Sequence, residues 1–294
     1  MLIYTNDPAM KNILSENGEN LFSIEKSENF SLETPIQLSQ YLIILIHKGE
    51  GIYHADFASF NFSGPTLLFS TPLQTIYIEQ LKNIEYTVLK FHGDFYCIEA
   101  HREEVACNGL LFNNIYLEPS IIISEQQHND FNKLLLHLEE ELADPHSSEM
   151  ILKAYLQVIL AKCSTAKLRT MEKDIVTTSK DEKMEQFRIL LDEKYLILRK
   201  PNDYAQILSI SPNTLTKKSI KYFGKTPTQL IQDRLILEAK KQLHLTTRSI
   251  KEIAYLLQFN DEHYFSRFFK KYTQISPQTF RNKGGISQVA YLSK

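Results

Sequence analysis

The chain has 294 residues, 43% of them hydrophobic, with 33 Lys and Arg against 35 Asp and Glu and three Cys. That length suits two domains with cores of their own, and three widely spaced cysteines (Cys97, Cys107, Cys163) exclude both a disulfide framework and a Cys-x-x-Cys metal knuckle. The net charge of −2 hides an asymmetry: residues 1–181 hold 13 Lys and Arg against 25 Asp and Glu, a balance of −12, and residues 182–294 hold 20 against 10, a balance of +10.

Residues 1 to about 124 read as strands. Tyr41–His47 (YLIILIH) is a buried-strand run followed by a KGEG turn. Ala58–Phe62 alternates by two, Ser63-Gly64-Pro65 turns, and Thr75–Gln80 and Ile84–His92 continue the series. Short strands with punctuation between them predict a sandwich or barrel. No basic start with an apolar run opens the chain, so no secretory signal is expected, and the run Leu42–Ile46 is too short to cross a bilayer. A reducing cytoplasm and no membrane association fit.

The texture changes near Ser124. Phe131, Leu134, Leu135, Leu138 and Leu142 mark a helix that Asp144-Pro145 ends. A second runs from about Ser148 to Ala166, with Ile151, Leu152, Tyr155, Leu156, Ile159 and Cys163 on one stripe. This helical hairpin either covers the sheet, or forms a dimer seam, or does both. Lys167–Lys180 is polar and reads as a linker.

From Asp181 onward the pattern is helical. Met184, Phe187, Leu190 and Leu191 define the first helix, and Ser211 caps one that has Pro212 in its first position. Thr228–Leu243 is long, and Ser249-x-x-Glu252 is a capping box. The last helix, after Asp261 as N-cap, is both greasy and basic. Tyr264, Phe265, Phe268, Phe269 and Tyr272 form an apolar stripe, with Ser266, Arg267, Lys270 and Lys271 largely on the other side.

These helices contain an internal repeat. LTKKSIKYFGKTP (Leu215–Pro227) matches FSRFFKKYTQISP (Phe265–Pro277) at an offset of 50, with Lys221/Lys271, Tyr222/Tyr272 and Pro227/Pro277 identical. Upstream, Asp203–Ser211 matches Glu252–Asn260 at an offset of 49, with Ala205 over Ala254. Each copy is a short helix with an interior Ala, a tight turn and a longer basic helix. The Ala lets two helices cross closely. That is a helix-turn-helix, whose second helix enters the DNA major groove.

Residues 185–283 resemble the DNA-binding domain of the AraC/XylS (arabinose-regulator) transcription factors. The residues that carry the resemblance are Ala205, Ser211, Leu215, Gly224, Arg234-Leu235, Ala239, Ile250, Ile253-Ala254, Phe259, FSRFFKK (Phe265–Lys271), Pro277 and Arg281. The chain departs from the family pattern at Gln258 and Gln274, where the family usually has Gly. The second turn's geometry is therefore a question, since Gln tolerates positive φ poorly.

The resemblance implies an α+β two-domain protein. Residues 1–166 would be a cupin-like β-barrel with a helical hairpin, binding a small effector and dimerising. Residues 167–181 would be the linker, 182–283 an all-α domain with two helix-turn-helix motifs, and 284–294 a tail. It implies two recognition helices in successive major-groove segments of double-stranded DNA. By position, the base-facing candidates are Asn213, Thr216 and Lys217 in the first helix and Glu262, His263, Ser266 and Arg267 in the second. Arg and Lys suit guanine O6/N7, Asn suits adenine N6/N7, and Glu can accept from cytosine N4. Lys218, Lys221, Lys270, Lys271 and Arg281 are the phosphate candidates, and Arg234 is expected in a structural ion pair.

In the first half, Tyr53, Phe60, Phe62, Phe69 and Tyr77 are candidate effector contacts or plain core, with His47 or His54 as a polar handle. A metal cupin needs a close His-x-His pair; His47, His54, His92 and His101 stand apart. No catalytic residue, metal or cofactor is assigned, and no Gly-x-Ser-x-Gly, P-loop or dinucleotide fingerprint occurs. The expected protein is a non-enzymatic, homodimeric, cytoplasmic transcription regulator, with RNA polymerase as a further partner. An effector-independent dimeric regulator is the alternative within binding proteins. A cupin metalloenzyme with a DNA-binding tail is the alternative from another class.

Overall fold

The computed structural model describes residues 3–4, 12–15, 18–28, 30–56, 58–96, 110–112, 114–144, 146–177 and 181–284. Cys97, His101 and Cys107, Pro145 and the tail from 285 lie outside them. The chain divides into two compact units. One holds the described residues up to Asn114 and from Glu118 to Met171. The other holds Ile115–Leu117 and the described residues from 172 to 284.

The first unit is sheet-rich. β1 (Ile3–Tyr4), β2 (Asn12–Leu14), β3 (Asn20–Lys26), β5 (Tyr41–Lys48), β8 (Thr66–Ser70), β10 (Glu85–Phe91) and β11 (Ser120–Ile122) form an antiparallel sheet in the order β1-β2-β3-β10-β5-β8-β11. β4 (Ile36–Gln37), β6 (Glu50–Ala55), β7 (Ala58–Ser63) and β9 (Thr75–Gln80) form a second sheet in the order β4-β9-β6-β7. The barrel expected above is thus not closed: the strands make two sheets. Edge strands β4 and β11 are two and three residues long, and each is hydrogen-bonded to one neighbour of its own sheet among the described residues.

The run YLIILIH is buried because its sheet is covered on both faces. Leu42, Ile44 and Ile46 meet Tyr53, Phe62, Ile76 and Ile78 of the other sheet. Tyr41, Ile43 and Leu45 face α1 (Glu125–Ala143) and α2 (Glu149–Thr177). A strand with apolar residues on both faces cannot alternate, which is why it reads as a continuous run. α1 starts at Ser124, whose capping box with Gln127 is complete, and lays Phe131, Leu135, Leu138 and Leu142 on the sheet. α2 contributes Leu152, Leu156, Ile159, Leu160 and Cys163 to the same core. The hairpin does cover the sheet. Ile151, read as part of that stripe, is 38% exposed instead. α2 also runs on to Thr177, through much of the polar stretch read as linker, and Lys167 is buried with its ammonium donating to the Glu118 and Ser120 carbonyls, both at 2.8 Å.

α1 is also tied to the sheet by a histidine pair. His47 Nδ1 lies 3.0 Å from His128 Nε2, which the Asn132 amide approaches at 3.2 Å. With the amide donating, His128 Nε2 is the acceptor, His47 Nδ1 carries the proton, and His47 Nε2 accepts from the Thr87 hydroxyl at 2.8 Å. Burial, first, and then His128 hold the His47 pKa below 6.5; Lys26 acts in the same direction and Glu85 against it. A depressed folded pKa means that the unfolded chain binds the proton more readily. The first unit should therefore keep its full stability above pH 6.5 and lose part of it as pH falls below 6.5 towards the depressed value. Urea-unfolding midpoints at pH 7.5 and 5.5 would show this loss, and His47→Gln would reduce it.

The second unit is helical: α3 (Glu182–Lys194), α4 (Pro201–Ile207), α5 (Pro212–Phe223), α6 (Pro227–Leu245), α7 (Ile250–Leu256), α8 (Glu262–Thr273) and α9 (Pro277–Gly284). Met184, Phe187, Leu191, Tyr204, Ala205, Leu215, Leu230 and Leu235 share one core, and Ile115 joins it. The Tyr116 hydroxyl donates to Asp192 at 3.0 Å, and Lys225 donates to the Ile115 carbonyl at 3.0 Å. Nothing in the composition of 115–117 signals that it completes a helical core. No helix among the described residues is long and apolar enough to cross a membrane.

Candidate nucleic-acid interface

The two motifs are built alike, atom for atom in the backbone. In the first turn the Leu208, Ser209 and Ile210 amides donate to the carbonyls of Tyr204, Gln206 and Ala205 at 2.9, 3.1 and 3.0 Å. In the second, Leu257, Gln258 and Phe259 donate to Ile253, Tyr255 and Ala254, each at 2.9 Å. Ala205 and Ala254 are 1% and 0% exposed, as close helix crossing requires. Each longer helix opens on a capped end. Ser211 Oγ accepts from the Thr214 amide at 3.1 Å. Asp261 accepts from Tyr264 and His263 at 2.8 and 3.2 Å, and these amide donors hold its carboxyl below the usual range.

The repeat also settles the glutamine question. Ser209 and Gln258 sit at φ 54° and 59°, Gly224 and Gln274 at 68° and 65°. Gln258 and Gln274 adopt the left-handed conformation that their positions demand, because the turn and the cap each need that backbone to return the chain. A left-handed non-glycine residue costs roughly 1–2 kcal/mol, part of which a glycine gives back in unfolded-state entropy. Gln274→Gly should therefore raise stability by about 0.5–1 kcal/mol, and Gly224→Gln should lower it by a similar amount. A Cβ at Gly224 meets nothing within 4 Å, so the second effect is conformational alone. Chemical denaturation of both variants checks the pair.

In α8 the rings of Phe265 and Phe269 are fully buried, and Phe268 and Tyr272 are half-buried. Tyr264, read as part of the same stripe, is 56% exposed at its edge, beside Phe259 with centroids 5.8 Å apart. The opposite faces carry the candidates. Asn213, Lys217, His263 and Arg267 are exposed, and Thr216, Glu262 and Ser266 are half-buried. The offset of 50 sets Asn213, Thr216 and Lys217 over His263, Ser266 and Arg267, so each helix presents the same three positions. Thr216 already donates to the Pro212 carbonyl at 2.9 Å.

The phosphate candidates divide. Lys221, Lys270 and Lys271 are exposed and make no ion pair among the described residues. Lys218 instead pairs with Asp181, the α3 N-cap, at 2.5 Å. Arg281 is half-buried, with Nε donating to the Leu243 carbonyl near the end of α6 at 3.4 Å. Arg234 is structural, as expected: it lies 3.3 Å from Asp192 and 3.4 Å from Glu238, over the Tyr195 ring at 4.0 Å.

The effector candidates fall in three places. Tyr53 and Phe62 lie in the core between the sheets, and the buried Tyr53 hydroxyl donates to the Phe69 carbonyl at 3.0 Å. His54 stacks flat on Tyr77 with centroids 4.1 Å apart and contacts Ser59 and Glu79. His47 is held by His128 against α1.

Residues 204–283 match the family model described as a helix-turn-helix domain. The transcriptional activator RhaS of Enterobacter sp. (strain 638) is 20% identical over 243 residues, which cover 81% of this chain and 84% of that protein. The uncharacterized transcriptional regulator YijO of Escherichia coli (strain K12) is 30% identical over 110 residues, covering 37% of this chain and 39% of its own length. Among solved structures, an apo ToxT variant from Vibrio cholerae strain SCE256 aligns over 91% of this chain and 99% of its own, with a TM-score of 0.43 and 16% identity. The repeated motif and the sequence matches agree: residues 204–283 are a helix-turn-helix domain, and the chain is similar to helix-turn-helix transcription regulators of the AraC/XylS type.

Proposed function

We propose that α5 and α8 read two half-elements in successive major grooves, and that a small effector in the first unit alters how a homodimer presents them. The supporting observation is the repeated geometry. Two capped helices carry the same exposed positions, and Lys217, Lys221, Arg267 and Lys270 are left without ion pairs among the described residues. Asn213, Thr216, Lys217, Glu262, His263, Ser266 and Arg267 would face bases. Lys221, Lys270 and Lys271 would hold phosphates, with Lys218 and Arg281 joining only if their present partners yield. The protein would act in the cytoplasm, without an enzymatic step and with RNA polymerase as a further partner. Selection of genomic DNA fragments by the purified full chain at moderate salt tests this reading. An enriched motif of two half-elements about one helical turn apart supports it, and uniform retention with and without metabolite extract opposes it.

The outward face of α2 supports the homodimer. Ile151, Ala154, Val158, Ala161, Thr165 and Leu168 recur at steps of three and four, a heptad seam, with Val158 and Leu168 45% and 47% exposed. The alanines would let a second copy of α2 approach closely. Val158→Asp should weaken self-association by at least about tenfold, an effect of ~1.4 kcal/mol, by sedimentation equilibrium. The alternative, a first unit that dimerises without an effector, draws on the burial of Tyr53 and Phe62 in the core. A metabolite that raises the melting temperature of the first unit would decide against it.

A further inference from the structure

Two heads read one operator only if the angle between them is held. α6 joins the motifs covalently, and the loop before α4 adds a second link. This loop belongs to the first motif: Leu196 and Leu198 pack against its core, and the Tyr204 hydroxyl donates to the Leu198 carbonyl at 2.9 Å. From it the half-buried Arg199 reaches the second motif. One terminal guanidinium nitrogen donates to the Leu257 carbonyl, Nε donates back to the Leu196 carbonyl at 3.3 Å, and the guanidinium lies over the Phe259 ring at 5.1 Å. Leu257 is the C-cap of α7, and its carbonyl is one of the acceptors a helix leaves unsatisfied. A cation there is favoured by the helix dipole, and a planar fork holds direction as well as charge. Leu257 and Phe259 flank Gln258, whose left-handed backbone makes the second turn. Phe259 in turn packs on Phe268 of α8 with centroids 5.3 Å apart, and Phe268 packs against the first motif's core.

We propose that Arg199 is a positioning residue that sets the spacing between the two half-elements the protein accepts. It touches no DNA in this role. It locks the second turn, and through it α8, to the loop of the first motif. The proposal rests on the two-headed reading above. Without the guanidinium, only α6 and the Phe268 contact hold the second motif to the first, so its turn loosens and duplexes with neighbouring spacings become acceptable.

The test is selection from a randomised duplex library of about 40 base pairs, with full-length wild type and Arg199→Ala in parallel and circular dichroism to confirm folding. The expected result is that both enrich the same two half-element sequences. The wild type shows one dominant spacing, whereas Arg199→Ala spreads over two or more, with its affinity for a single half-element within about twofold of wild type. Arg199→Lys, which keeps a donor but not the fork, should fall between. An unchanged single spacing in Arg199→Ala overturns the proposal, as does an equal loss of affinity at every spacing, which a merely structural role would produce. If Arg199→Ala fails to fold, Phe259→Leu, which removes the ring and keeps an apolar side chain, carries the same readout. A wild type that enriches no two-part motif overturns the two-headed reading itself and this proposal with it.

Discussion

Arg267→Ala is expected to weaken operator binding by about 1–3 kcal/mol, roughly 5- to 150-fold, and to relax base preference at one position. The reasons are local. Arg267 lies on the exposed face of α8, one turn in from its capped start, and makes no ion pair among the described residues. A guanidinium with no ion pair among the described residues keeps its fork for a guanine edge. Folding should be untouched, because Phe265 and Phe269, not Arg267, hold α8 on its core. Titration of the selected duplex and its single-base variants checks this. Equal loss on all variants would make Arg267 a backbone contact, and no loss would remove it from the reading set.

Salt should weaken binding steeply, and the slope counts the phosphate contacts. Each neutralised phosphate adds about −0.9 to the slope of log K against log salt. Counted per protomer bound, if Lys221, Lys270 and Lys271 alone serve, the slope is about −2.7, and affinity falls roughly 40-fold from 50 to 200 mM salt. If Lys218 and Arg281 also serve, it is about −4.5, a fall of several hundredfold. The structure favours the shallower value, since Asp181 holds Lys218 and the end of α6 holds Arg281. Asp181→Asn would free Lys218 and move the slope towards the steeper value. The measurement needs the full chain, because Ile115 and Tyr116 belong to the basic unit and a fragment from 182 would lack them. A flat response would contradict the phosphate assignments altogether.

The DNA-binding half was legible because its signals are local. Caps, the proline at the first helical position, the capping box and the stripe of α8 each depend on residues within one or two turns. The repeat then named the motif, since Ala205 and Ala254 answer a steric demand that recurs wherever two helices cross so closely. The first half was read less fully. β3 (NLFSIEK) is not among the expected strands: its alternation, Phe22-Ser23-Ile24-Glu25, is only four residues long, and the β10 residues it pairs with lie more than 60 positions on. The effector candidates are aromatic and polar residues on strands, and a pleated sheet sends neighbours to opposite faces, so they scatter. Arg199 carries no motif, and its partner carbonyl lies 58 residues further on.

By itself the sequence determined the all-helical second half, its two motifs and the faces they turn outward, because helical period and capping are encoded within about four residues. Only the tertiary structure decided that Gln258 and Gln274 take a glycine's backbone. It also decided that Lys218 and Arg281 are already engaged, that Ile115 completes a core 70 residues downstream, and that the strands make two sheets rather than a closed barrel. Each of these depends on which distant groups meet, and the energy of such a meeting is absent from any local window of the chain.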